Sequence, residues 1–576
     1  MLVYKFFLKS YFFYYKLFRF KCLILLISCS LLPLSIYAAE SELESALLAY
    51  ESGDFEAALA QFTELANQGI AEAQVRLGSM YDNGEGVEEN VVEAGRLFQL
   101  AADAGNAEAL VAIGDRYFAG LQGVPNPEEA YRLYQEAADQ DYAPAHMKLG
   151  NMYFNGQGVD KDLDEAVSFY STAADLGDEQ ALVALGNLYL TGQGVGSDLD
   201  EAIRLYQQAA EKGYAPAQVN LGNQYYTGQG VEQNFDTAIE LYELAAEQDY
   251  SPAQVYLGNI YLEGSVVAQD YDLARSLFTE AAGQSDEDAI YMLGVLFEFG
   301  YGVEKNYDQA LRLYERAADF GSAEAQFTLG VKYDTGEGFP QNSTIAASLY
   351  QLAAQQDFVQ AQVALGNKLY LGVGVPQNYG EAARYFGLAA EQQNPEAQTN
   401  LAVMYINGQG VEQDIERAIS LYSLAAEKNY SQAFLNLGWL YSNGLGVEQD
   451  LRETIRYYRL AAEQNNVQAM LNLGIMYANG QGADQDHDEA VYFYRSAASL
   501  GFAPAQANLA VMYVNGLGVE AASLSTAYMW AWLSAEQGYA QADIYVQALE
   551  QELNEEEIVA AKARAQACAL SNFSDC

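Results

Sequence analysis

Two histidines, His146 and His487, are all that 576 residues offer for imidazole chemistry, and they stand far apart in the chain. A zinc site needs clustered imidazoles or thiolates, and a Ser-His-Asp triad needs a histidine beside its nucleophile, so neither is encoded. Asp160-Lys161-Asp162-Leu163-Asp164 and Asp484-Gln485-Asp486-His487-Asp488 alternate carboxylates as calcium loops do. Their sixth positions, Glu165 and Glu489, should then be Gly, and their twelfth, Ser171 and Arg495, should be Glu, so helix capping explains them better. No S-x-x-K or K-T-G serine signature occurs, and no Walker or Rossmann loop. We expect no catalytic residue, no cofactor and no bound metal, and both histidines are expected at the surface.

The side chains that could bind sit on a scaffold with a strict period. A small residue recurs every 36 positions: Gly78, Gly114, Gly150, Gly186, Gly222, Gly258, Gly294, Gly330, Gly366, Ala402, Gly438, Gly474 and Ala510. Such a period marks two-helix units that bury a core only by stacking. In Ala217, Leu221, Gly222 and Tyr225 the apolar and small residues share one helix face. Each such LG helix ends at a second Gly, from Gly84 to Gly516, where a left-handed residue is needed. After a GxGV-type loop, Asn or Asp at 90, 126, 162, 198 and onward to 486 predicts an N-cap, and Glu or Gln three residues later in most copies predicts a capping box. The second, AA, helix carries an aromatic (Phe98, Tyr134, Tyr170, Tyr206) and then paired alanines. Glycine inside the LG helix is costly and argues for close approach there.

The motif ALVALGNLYLTGQGVGSDLDEAIRLYQQAAEKG resembles the sel-1-like repeat, a relative of the tetratricopeptide repeat, over roughly residues 71–540. The resemblance implies an all-α, right-handed α-solenoid with a concave and a convex face, and adaptor roles in protein–protein association. It also brings a second reading, an envelope glycan- or polysaccharide-associated assembly factor, and a third, a β-lactamase-like enzyme, for which the signatures are missing. Some relatives carry a disulfide in every repeat; here the chain departs from the pattern.

Residues 1–38 read as a signal peptide, with Lys5, Lys9, Lys16, Arg19 and Lys21 before the apolar run 22–37 and Ala38 at the cleavage point. Export to a periplasm or the exterior follows, a lipobox at Cys29 or an uncleaved anchor being the alternatives. Residues 40–70 read as an N-terminal capping helix pair and 541–576 as a C-terminal cap, with a final helix from Glu552 to Leu570. Losing five bases and no acid would take the net charge from −50 to −55, which argues against nucleic acid as partner. Cys568 and Cys576 are expected to bridge in an oxidising compartment.

One stripe of the LG helix, two positions before and one after the repeat glycine, holds a single acid, Asp115, in a chain with 78. It carries Asn151, Asn187, Asn223, Asn259 and Asn367 in one row and Asn220, Asn400, Asn436, Asn472 and Asn508 in the other, with Val403, Trp439, Ile475 and Val511 beside the last four. Amide rows can hold an extended backbone and an apolar row can select its side chains. These side chains are expected to point away from the packing face, so the reading is an exported, non-enzymatic scaffold that binds peptide or protein in its concave groove, possible partners extending to cell-envelope components.

Overall fold

The computed structural model describes residues 34–121, 123–571 and 573, with side chains from residue 41 on. These residues form thirty helices and no strand. They fall into two compact units that meet between Asp270 and Tyr271. The first opens with the capping pair Leu34–Glu51 and Phe55–Asn67, runs through five LG/AA pairs from Ala71–Asn83 to Phe235–Ala246, and closes on the LG helix Ser251–Glu263. The second opens on the AA helix Tyr271–Gly283 and continues with seven pairs, from Glu287–Phe299 and Tyr307–Phe320 to Ala503–Asn515 and Leu524–Glu536. Within each unit successive helices pack on one another, which is how a repeat array builds a core, except that the last helix returns to pack on Leu524–Glu536.

The repeat glycine makes room for a ring. A Cβ on Gly114 would lie 2.5 Å from the Tyr134 ring, and one on Gly222 2.6 Å from Tyr242. Those AA-helix rings are fully buried, Tyr206 at 0% and Tyr242 at 1% exposure. The close approach is therefore between a helix and an aromatic ring, the largest buried side chain of the repeat. The terminal glycine is left-handed as expected, with φ of 70° at Gly84 and 65° at Gly516.

The capping box is only half formed. Asn90 accepts from the Glu93 N–H at 3.0 Å, but the Asn90 N–H donates to the Tyr81 carbonyl at 2.8 Å. The same bond closes the loop in every repeat, to Ser523 N–H and Tyr513 O at 3.0 Å. The glutamate, relieved of its capping role, pairs with the arginine three residues on, as in Glu93–Arg96 and Glu201–Arg204. A complete box occurs at Asn554 and Glu557, where no such loop precedes the helix.

The C-terminal cap also differs from expectation. Ala540–Glu550 is a separate helix, and the last one runs Glu555–Leu570 rather than from Glu552, because Asn554 is its N-cap. Both histidines are more sheltered than a surface position: His146 is half-buried with both ring nitrogens shielded and its ring tilted 36° against Phe169 at 6.0 Å, and His487 is half-buried at a helix start. The signal segment lies almost wholly outside the described residues, as does Cys576; Cys568 is 1% exposed and disulfide-bonded. No described helix is long and apolar enough to cross a membrane.

Candidate functional site

The LG stripe is more tightly built than an open amide ladder. The buried AA-helix phenols reach it: Tyr170 donates to Asn151 Oδ1 at 2.8 Å, Tyr206 to Asn187 at 2.6 Å and Tyr242 to Asn223 at 2.7 Å. Tyr134 uses Asp115 in the same way at 2.6 Å. A buried hydroxyl without a partner is costly, and in these four repeats the stripe supplies that partner, whereas Tyr314 turns to Glu298 off the stripe. Where Val403, Trp439 and Ile475 take the position after the repeat residue, the partner comes from the other row in the next repeat. Tyr422, Tyr458 and Tyr494 meet Asn436, Asn472 and Asn508. Burial raises all three phenols, Tyr494 to about 12, and the asparagine bond pulls the other way. The two asparagine rows therefore complement one another along the chain.

The rows also touch directly. Asn220 Nδ2 donates to Asn187 Oδ1 at 3.5 Å and Asn400 Nδ2 to Asn367 Oδ1 at 3.2 Å. Asn259 is half-buried on its helix. The expectation that these side chains point away from packing is thus corrected for six of them: Asn151, Asn223, Asn436, Asn472 and Asn508 are half-buried partners of core phenols, and the more exposed Asn187 is another. The apolar row divides. Val403 and Ile475 pack against the cores, whereas Trp439 is 47% exposed. Val511 lines a cleft of about 610 Å³ with Val514, Ile544 and Tyr545, of which Ile544 is 65% exposed.

Two further polar systems escaped the sequence reading. A cation two residues after the repeat glycine pairs with an acid 34 residues earlier: Arg116 with Asp82 at 2.7 Å, Lys332 with Glu298 at 2.7 Å, and Lys368 with Asp334. The Lys332 side chain is 6% exposed, and its Glu298 carboxylate also accepts from Tyr314 at 2.6 Å. Burial lowers the Lys332 pKa, but bonds to Glu298 and Tyr307 outweigh it and leave the ammonium above its ordinary value. The signal was a base at a position that elsewhere holds Met80, Leu188 or Met404. Second, a buried glutamine four residues before the repeat residue accepts from another at the end of the AA helix. Gln218 accepts from Gln248 at 2.9 Å, Gln326 from Gln356 at 2.9 Å, Gln362 from Gln392 at 3.1 Å and Gln506 from Gln537 at 2.8 Å. No group of His, Cys, Asp or Glu among the described residues could hold a metal ion.

A family model described as Sel1 repeat matches thirteen consecutive segments, from 71–106 to 503–539. Among solved structures, the chain resembles a protective antigen of uropathogenic Escherichia coli that displays the SLR fold. Identity is 31%, coverage is 77% of this chain and 96% of that one, and the TM-score is 0.53. A Sel1 repeat protein from Oxalobacter formigenes is 32% identical over 42% of this chain and 99% of its own, with a TM-score of 0.39. Comparison with curated proteins returns no match.

Proposed function

The chain belongs to the Sel1 repeat family, a protein-interaction scaffold fold, and from that premise we propose that it is an exported, non-catalytic scaffold holding a protein or peptide along the LG stripe. The observation that carries this reading is the run from Trp439 to the cleft around Val511, where acid-free LG helices leave Trp439 and Val514 exposed and the helix Ala540–Glu550 adds Ile544. The phenol bonds refine how the amides would act. With Oδ1 occupied by Tyr206 or Tyr242, Asn187 and Asn223 keep their NH₂ groups to donate to a partner's carbonyls. Export rests on the basic, then apolar, N-terminal sequence.

The test is capture of partners from the native envelope with the mature protein, followed by affinity measurement with Trp439→Ala. A central aromatic anchor carries roughly 2 kcal/mol or more, so we expect a loss of at least about thirtyfold with melting unchanged. Unaltered affinity for the captured partner removes the stripe from the binding surface. A glycan partner is the second reading, favoured by a face-to-face stack in which Tyr301 lies 5.7 Å from Phe299 and 5.3 Å from Tyr271, with Phe299 55% exposed. A glycan-array screen of the same protein separates the two.

A further inference from the structure

Two arginines one repeat apart supply their own comparison. Arg459 and Arg495 hold the same position on successive AA helices, and each donates from Nη2 to the phenol of the LG helix that follows, Tyr477 at 2.7 Å and Tyr513 at 3.0 Å. Arg459 Nη2 also meets Glu489 Oε2 at 3.1 Å, and Glu489 is the third residue of the next AA helix. For Arg495 that third residue is Thr526, whose hydroxyl accepts from Ser523. Among the described residues no carboxylate comes within ion-pair distance of Arg495.

The exposed Arg495 side chain lines a cleft of about 830 Å³, whereas the pocket beside Arg459 holds about 200 Å³. The loop entering the last AA helix is one residue longer: Ser523 caps that helix 37 positions after Asp486, where Asp486 follows Asp450 by 36. The repeat's packing is therefore not copied here, and part of that loop lines the cleft. Tyr492, 63% exposed, stands with Tyr513, Trp530 and Phe573 in its walls. The other charged lining groups are Glu520 on the loop and Asp488 in the first turn of its helix, about 10 Å along the axis from Arg495 at 1.5 Å per residue. Two acids at that end repel a polyanion, while a single carboxylate at Arg495 gains a charge-assisted bond beside aromatic walls.

We propose that this cleft receives an acidic side chain of a partner protein, its carboxylate taking at Arg495 the place that Glu489 has at Arg459, with a neighbouring aromatic residue of the partner against Tyr492. Arginine and tyrosine side by side are the composition of an interface anchor, and the guanidinium fork matches a carboxylate in a way an ammonium does not. The site shares no residue with the LG stripe, so either assignment can fail alone.

The probe is the N-acetylated dipeptide amide Glu-Phe, titrated into the full chain by calorimetry and by saturation-transfer NMR, against its Gln-Phe and Glu-Ala analogues. A hydrogen bond to a charged group predicts at least about tenfold tighter binding of Glu-Phe than of Gln-Phe, and loss of the ring should weaken Glu-Ala. Arg495→Gln should erase the preference for Glu-Phe over Gln-Phe with undiminished helical content, whereas Arg459→Gln, at the arginine already paired, should leave it. Thr526→Glu supplies the acid that Arg459 has and should weaken Glu-Phe about tenfold. Because Phe573 lines the cleft, Asp575→Asn is a further arm. Unchanged affinity there supports a partner's carboxylate, and a tenfold gain would mean that the chain fills the site itself and would overturn the assignment. No binding by the natural chain, equal binding of Gln-Phe, or a preference that survives Arg495→Gln overturns it as well.

Discussion

At the residue scale, the stripe is governed by pairs. Tyr206 is 0% exposed and its hydroxyl is held by Asn187 alone among the phenol's stripe neighbours. Asn187→Ala leaves that hydroxyl unpaired and should cost about 1–3 kcal/mol, whereas Tyr206→Phe loses only the net worth of the bond, about 1 kcal/mol. The double variant should then cost less than the two singles added, because the ring no longer needs a partner. Thermal unfolding with hydrogen exchange resolved over Glu179–Thr191 and Leu199–Glu211 measures this, since a long array need not melt in one step. Strict additivity would mean that the bond contributes nothing. The chain already contains the paired change: Phe386 has no hydroxyl, and Asn367 beside it bonds to Asn400 instead. That rule was present in the sequence but spread across positions 19 apart in one repeat or 14 apart between two. Helix-by-helix periodicity does not display such spacings, so the asparagines read as a solvent-facing ladder. The Lys332–Glu298 pair was hidden for the same reason, each member looking like an ordinary exposed charge on its own helix.

At the element scale, the two glycines of a repeat do different work and should respond differently to a methyl group. A Cβ on Gly438 would approach the edge of the Tyr458 ring at 2.6 Å, and the preceding repeat already accepts Ala402 above Tyr422. Helix propensity returns about 1 kcal/mol for Gly→Ala while overpacking costs about 1–3, so Gly438→Ala should shift stability only slightly. Gly410 has φ of 71°, and a Cβ there would run into the Tyr379 carbonyl on the first turn of the previous AA helix. Left-handed strain of about 1–2 kcal/mol adds to a clash with backbone that cannot rotate away, so Gly410→Ala should be clearly the worse. Urea midpoints of the two variants decide it; equal losses would mean that ring and backbone give alike. Helix positions, N-caps and left-handed C-caps were legible because each depends on residues within one turn. The half-formed capping box was not, because the competing carbonyl of Tyr81 comes from the other side of the loop. The ends were harder still, since Ala540–Glu550 follows no copy of the repeat pattern.

At the scale of the whole molecule, the same buried phenols and the net charge of −50 set the pH limits of stability. Burial raises the pKa of Tyr134, Tyr170, Tyr206, Tyr242, Tyr314, Tyr350, Tyr422 and Tyr494, Tyr170 and Tyr206 to about 12. Below about pH 10 these phenols are neutral in both folded and unfolded chains, and their contribution is complete. Above it the unfolded chain ionises first, so stability falls by about 1.4 kcal/mol per pH unit for each such ring until its folded pKa is reached. Lys332, raised by its partners, adds loss in the same direction as pH climbs through its folded value. On the acid side the lowered groups are carboxylates such as Glu93, Glu129 and Glu201, held down first by hydrogen bonds from Arg96, Arg132 and Arg204. Their contribution is present above the unfolded pKa and fades as pH falls, but the arginines are half-exposed and such pairs contribute little. The alkaline limit should therefore be the sharper one, and it adds negative charge to a chain already strongly negative, so moderate salt should move it to higher pH. In a titration followed at 295 nm, ionisation of the buried rings should come well above the ordinary tyrosine range and coincide with loss of far-ultraviolet helical signal. If the tyrosines instead ionise together near pH 10 while the helices persist, the phenol–asparagine network is too weakly closed to govern the stability of the array.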